Sequence, residues 1–134
     1  TVRRLFSNDP RVILTGWVSD TAPYYALMDV LVLPSDREGF PNTPLEASAM
    51  CVPVVATRIP GCVDAVVDGL TGVLVPVRDA QALAEAIDRY ICQPDLRIQH
   101  GRAGRERVLR EFRQEVLWQA LYEHYQSLMQ EKGI

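Results

Sequence analysis

Four short runs in the first half of the chain constrain its fold more than any other feature: RVILTGWV (11–18), VLVLPS (30–35), VPVVAT (52–57) and TGVLVP (71–76). All are rich in Val, Ile and Leu, and they lack the strict apolar/polar alternation of a half-exposed strand. Runs of this kind belong to strands covered on both faces, which is the condition of a parallel sheet with helices packed on either side. TAPYYALMD and TPLEASAMC, between the runs, have helical character. The expectation is an α/β fold: a Rossmann-like, doubly wound parallel sheet of about four strands with right-handed crossovers.

The second half reads as two to three helices. Asp79 is placed to cap AQALAEAIDRYIC, in which Leu83, Ala86, Ile87 and Tyr90 share one face, and Pro94 ends that segment. DLRIQHGRAGRERVLREF follows, with six arginines (Arg97, Arg102, Arg105, Arg107, Arg110, Arg113) against three acids between Asp95 and Arg113. Two accounts fit this cluster: a solvated helix whose Arg stems cover apolar surface, or a face towards anionic lipid head groups. The last helix carries Leu117, Trp118, Leu121, Tyr122, Tyr125, Leu128 and Met129 at helical spacing. That stripe is either buried against its own domain or docked on a second domain or subunit.

At 134 residues and 48% hydrophobic, the chain can bury one continuous core, so one domain spanning 1–134 is expected. No segment resembles a signal peptide, and the apolar runs fall well short of the roughly 20 residues a membrane helix needs. A soluble, cytoplasmic protein is the expectation. The three cysteines, Cys51, Cys62 and Cys92, lack metal-ligand spacing and are read as reduced, mostly buried thiols. A formal charge of -3 argues against general nucleic-acid binding.

An open parallel sheet receives ligands at the carboxyl ends of its strands. After VLVLPS that edge carries EGFPNTPLE, in which Glu38 and Glu46 bracket seven residues including two prolines. Three chemistries compete for it. Thr43, Pro44 and Glu46 match a capping box, with Thr at the N-cap, Pro at the first helical position and Glu reaching back. Two carboxylates could instead work as the acid/base pair of a glycosidase, whose separation of about 5–10 Å spacing cannot supply. The third possibility is a phosphate site: backbone N–H groups at the helix N-terminus face the strand ends, and Gly39 admits close approach. Carboxylates beside a phosphate make sense if they accept hydrogen bonds from sugar hydroxyls at the two ends of a nucleotide-sugar.

At these residues the chain resembles a known family. VLVLPSDREGFPNTPLEASAMCVPVVATRIPGCVDAVVDGLTGVLVP is similar to the carboxyl-terminal, donor-binding half of the GT-B retaining glycosyltransferases of family 4, the glycosyl transferases group 1, with their two-glutamate signature at Glu38 and Glu46. VILTGWVSD resembles the strand and loop near the nucleotide base, and LREF…LWQALYEHY the closing helices. The resemblance implies that Glu38, the catalytic candidate, hydrogen-bonds the donor sugar and that Glu46 holds the ribose. It implies that Gly39, Phe40, Pro41, Asn42 and Thr43 present their backbone to sugar and diphosphate. Leu45 would pack near the ribose, Trp17 and Val18 would edge the base pocket, Pro34 and Ser35 would shape its floor, and Gly61 would approach the sugar. The implied activity is retaining transfer of a sugar from a nucleoside diphosphate to a saccharide or lipid-linked acceptor in polysaccharide or glycolipid assembly, with no cofactor and no required metal.

Two departures stand out: Pro41 replaces a residue that would carry an N–H, and Cys51 holds a position often occupied by Gly. The family's acceptor domain and its upstream diphosphate-binding Arg and Lys would precede this chain, and Arg3 and Arg4 are not assigned those roles. The expectation is thus a partial donor domain, inactive alone and prone to self-association, with possible peripheral contact at the inner membrane face. The rival reading is a non-catalytic nucleotide-binding or interaction module.

Overall fold

The structure, a computed structural model, describes residues 9–133; Arg3 and Arg4 lie outside them. Its sheet consists of β1 (Leu31–Leu33), β2 (Val54–Thr57) and β3 (Gly72–Val75), side by side in chain order and parallel throughout. Leu31 pairs with Val54, and Val54 with Gly72. The described helices are α1 (Ala22–Leu27), α2 (Asn42–Ala49), α3 (Pro60–Ala65), α4 (Ala80–Cys92), α5 (Pro94–Glu111) and α6 (Gln114–Lys132).

β2 explains the missing alternation, because all four of its residues are buried. Successive side chains point to opposite faces. Val54 and Ala56 join Tyr25 of α1, Ala47 of α2, and Cys62 and Ala65 of α3 in one core. Val55 joins Val75, Ala86 and Tyr90 in a second, with Leu83 and Ile87 of α4 packed against it. Helices therefore cover both faces, as expected of a doubly wound sheet. Asp79 caps α4 as read from sequence, its Oδ1 accepting from the Ala82 N–H at 2.9 Å.

Three expectations need correction. The run 11–18 forms no strand: residues 12–18 are irregular, with Ile13 83% exposed. A strand is held by a neighbour's N–H and C=O groups, and no described strand lies beside this run. The sheet has three strands rather than four. Only Cys62 among the cysteines is buried; Cys51 and Cys92 are exposed. The stripe on α6 is not buried against its own domain, since that helix has no buried residue and Trp118 is 61% exposed.

Two arginines of α5 do more than form a solvated face. Arg105 donates to the carbonyl of Ala49, the last residue of α2. Arg107 donates to the carbonyls of Asp64 (2.7 Å) and Ala65 (2.8 Å), the last residues of α3. Helix ends expose unpaired carbonyls and a partial negative charge, and a guanidinium satisfies both. Arg97 pairs with Asp29 at 2.7 Å, and Arg107 also bonds Glu111, four residues on, at 2.8 Å.

Close approach of α5 to α2 requires glycine. A Cβ at Gly101 would stand 2.0 Å from the Cys51 carbonyl oxygen, and one at Gly104 would stand 3.1 Å from the Ser48 side chain. Cys51 itself holds φ of 60°, a left-handed conformation that glycine adopts without strain. Beside this seam the Tyr90 hydroxyl lies 2.7 Å from Nδ1 of His100, both residues buried. Burial raises the Tyr90 pKa and keeps the phenol protonated. Burial first, and the Arg89 charge second, hold the His100 imidazole below its ordinary 6.5.

Gly101→Ala should destabilise the protein by about 1–3 kcal/mol through overpacking, whereas an ordinary mid-helix Gly→Ala change would stabilise by up to about 1 kcal/mol. Urea midpoints decide the sign. His100 also makes stability depend on pH. The unfolded chain takes up the proton first as pH falls below about 6.5, so the contribution is complete above that value and lost on acidification. The urea midpoint should fall from pH 7 to pH 5, and His100→Gln should flatten that part of the profile.

Candidate functional site

The loop from Pro34 to Pro41 leaves the carboxyl end of β1 and enters α2. The capping box expected at Thr43 does not form. Pro41, with φ of -76° and ψ of 126°, occupies the N-cap, the helix begins at Asn42, and no side chain caps it. The proline ring fixes an extended entry two residues earlier than the Thr-Pro-Leu-Glu pattern suggests. Glu46 consequently sits in the second turn, out of reach of the terminus.

This shift defines the donors precisely enough to count them. Of the N–H groups a helix start leaves unpaired, Pro41 and Pro44 have none, so those of Asn42 and Thr43 remain. Both belong to the positive end of the helix dipole, which attracts anions.

Two carboxylates flank these donors, each fixed by one hydroxyl. Oε2 of Glu46 accepts from the Tyr25 hydroxyl at 2.8 Å. Oε1 of Glu38 accepts from Ser35 Oγ at 2.7 Å. The Tyr25 phenol is pushed up to about 12, chiefly by burial and then by the hydrogen bond and charge of Glu46, with the Thr43 hydroxyl acting in the opposite direction. Tyr25 is therefore a donor across the ordinary pH range.

The Glu38 loop rests on packed backbone. A Cβ at Gly61 would stand 2.2 Å from the Gly39 carbonyl oxygen and 3.0 Å from that of Glu38, so the first turn of α3 presses directly on the loop. Gly61 is buried beneath the loop, where it sets the height of Glu38. Cys62, next along α3, has its thiol pushed up by burial and then by the Glu38 charge. Thr57 Oγ1, at the end of β2, donates to the Ser35 carbonyl and ties the two strand ends together. Phe40 stacks on Phe112 at 5.9 Å between ring centroids, and the Arg107 guanidinium covers the Phe112 ring at 5.1 Å.

The structure thus brings Ser35, Glu38, Gly39, Phe40, Pro41, Asn42, Thr43, Glu46 and Gly61 to one edge, with Leu45 packed against the adjoining core. Trp17 and Val18 stand on the irregular segment, Trp17 is 88% exposed, and neither joins a core cluster. Pro34 lines a neighbouring hollow of about 230 Å³ with Asp36, Thr57, Pro76 and Arg78. Arg78 reaches Asp36 across the two loops at 2.8 Å.

Sequence reading missed Tyr25, Arg105, Arg107 and Phe112. Tyr25 acts on a residue 21 positions away, a contact no local pattern encodes. Arg105 and Arg107 were visible only as members of the charge cluster, because their targets are backbone carbonyls. Among the described residues, no cluster of His, Cys, Asp or Glu could hold a metal ion, and no helix is long and apolar enough to cross a membrane.

The carboxyl edge of the parallel sheet thus presents an uncapped helix terminus and two carboxylates, each held by one hydroxyl. The family described as Glycosyl transferases group 1 matches residues 1–93. The chain is 39% identical over 125 residues to the capsular polysaccharide biosynthesis glycosyltransferase CapM of Staphylococcus aureus, covering 93% of this chain and 33% of CapM. It superposes on sucrose-phosphate synthase from Thermosynechococcus elongatus with a TM-score of 0.88 at 34% identity, over 97% of this chain and 33% of that one. It also superposes on the C-terminal domain of the group 1 glycosyl transferase LpcC from Francisella tularensis, with a TM-score of 0.73 at 28% identity, over 84% of this chain and 60% of that one. The chain belongs to the group 1 glycosyl transferases. It spans about a third of the length of the curated relatives it matches.

Proposed function

We propose that the chain is the donor-binding part of a retaining glycosyltransferase that moves a sugar from a nucleoside diphosphate to a saccharide or lipid-linked acceptor in polysaccharide or glycolipid assembly. The observation that carries this reading is the uncapped N-terminus of α2, with the Asn42 and Thr43 N–H groups unpaired between Glu38 and Glu46. The diphosphate lies on those two donors. One oxygen of Glu46 is committed to Tyr25, leaving the other to accept from the ribose. One oxygen of Glu38 is committed to Ser35, leaving the other to accept from the donor sugar.

When the glycosidic bond to the diphosphate breaks, negative charge builds on the leaving phosphate. Fixed N–H donors and a helix dipole already aimed there stabilise it without reorganisation. Glu38 holds the sugar so that the acceptor attacks the face the diphosphate leaves, which is retention. No metal has a role in this scheme, and the compartment is the cytoplasm. The acceptor site and further cationic groups for the diphosphate belong to protein outside this chain, so the chain alone binds donor weakly and transfers nothing. The similarity to a capsular polysaccharide enzyme supports the polysaccharide setting.

The test is titration with UDP, GDP and ADP, followed by transfer and donor-hydrolysis assays, on the longest form the gene encodes. Glu38→Ala should lower turnover about 100-fold, as removal of a transition-state contact does, with nucleotide affinity little changed. Glu46→Ala should weaken nucleotide binding about 10-fold, the worth of one hydrogen bond to a charged group. Binding without turnover in the unaltered protein would favour a non-catalytic module. Failure of all three nucleotides to bind would overturn the reading.

A further inference from the structure

We propose that Tyr25 is a positioning residue for Glu46, presenting that carboxylate to the two hydroxyls of the nucleotide's ribose. The inference rests on the assignment of Glu46 to the ribose and deepens it.

α1 is a six-residue helix with one buried residue, Tyr25, at 6% exposure; its neighbours Tyr24 and Leu27 are 40% and 86% exposed. The ring sits in the core formed with Ala47, Val54 and Ile59, so its hydroxyl is held by packing. That hydroxyl donates to Oε2 of Glu46 at 2.8 Å. Glu46 itself is exposed, on a flexible stem with no basic partner among the described residues. Unheld, it would spread over several rotamers and present its oxygens to a diol only part of the time. With one oxygen anchored to a rigid phenol, the plane of the carboxylate is set and Oε1 is the acceptor that remains.

The buried Tyr25 phenol thus joins the core and Glu46. The shift of its ionisation to about 12 means that it remains a donor in any assay buffer. A purely structural account would have Glu46 serve only to satisfy a buried hydroxyl. The two accounts differ in what loss of the hydroxyl does to ligand choice.

Tyr25→Phe removes the hydroxyl and keeps the ring. Tyr25→Met removes it while filling the same space with a pliable side chain, so one variant stands in if the other does not fold. For each, and for the unaltered protein and Glu46→Ala, calorimetry measures affinity for whichever of UDP, GDP or ADP binds tightest and for its 2′,3′-dideoxy counterpart. The unaltered protein should prefer the ribonucleotide about 10-fold, a hydrogen bond to a charged group. Loss of the Tyr25 hydroxyl should cut this preference to about 3-fold or less by weakening the ribonucleotide alone, leaving the dideoxy affinity in place. A lowered melting temperature with the preference intact would overturn the proposal. If Glu46→Ala abolishes the preference and the Tyr25 variants keep it, the positioning role fails and the ribose assignment stands. If the unaltered protein shows no preference, the ribose assignment fails and this proposal fails with it.

Discussion

The seating of α2 at the carboxyl edge of the sheet depends on how closely α5 can lie against it. The contact has no room for a side chain where Gly101 meets the Cys51 carbonyl, and barely any where Gly104 meets Ser48. Once seated, α5 delivers Arg105 to the last carbonyl of α2, Arg107 to the last carbonyls of α3, and Phe112 to the underside of Phe40. Both helices that frame the site thus have carbonyls at their carboxyl-terminal ends satisfied by a guanidinium. α2 keeps its positive end open. A helix that contributes none of the flanking carboxylates or free N–H donors sets the position and polarity of the two that frame them.

The Glu38 loop gains its rigidity from the sheet side. Thr57 at the end of β2 ties the Ser35 backbone, the Ser35 side chain holds Glu38, and Gly61 lets α3 press against the Glu38 and Gly39 carbonyls. Each link is a short-range contact to a buried or half-buried element. A carboxylate held this way has its orientation set in the folded chain, the ordering cost being met during folding. Glu46 is held from the other side, by α1. The two carboxylates are therefore oriented through different supports, Ser35 for Glu38 and Tyr25 for Glu46.

The parallel sheet was legible because burial on both faces removes polar alternation, and VLVLPS and VPVVAT show that directly. Asp79 and Pro94 were legible because caps and helix breaks are local chemistry. Cys51 was legible as a misfit at a glycine-like position, and its φ of 60° is the reason. Non-local contacts were not legible. RVILTGWV has strand composition, but a strand exists only beside a partner, and none adjoins it among the described residues. Thr43-Pro44-Leu45-Glu46 has capping composition, but Pro41 takes the N-cap and moves Glu46 out of the first turn. The arginines of α5 were conspicuous as a charge cluster, yet their targets, the carbonyls at 49, 64 and 65, carry no side-chain signature. The candidate site was found through the two glutamates and their loop, whereas the groups that orient them were found only in three dimensions.

The central claim is that the N-terminus of α2 receives a diphosphate between two carboxylates. It is tested most directly by a crystal structure of the protein with a bound nucleoside diphosphate. The account predicts phosphate oxygens about 3 Å from the Asn42 and Thr43 nitrogens, with Glu46 on the ribose. A nucleotide seated elsewhere, for instance in the hollow beside Asp36 and Arg78 with those two N–H groups facing water, would contradict it.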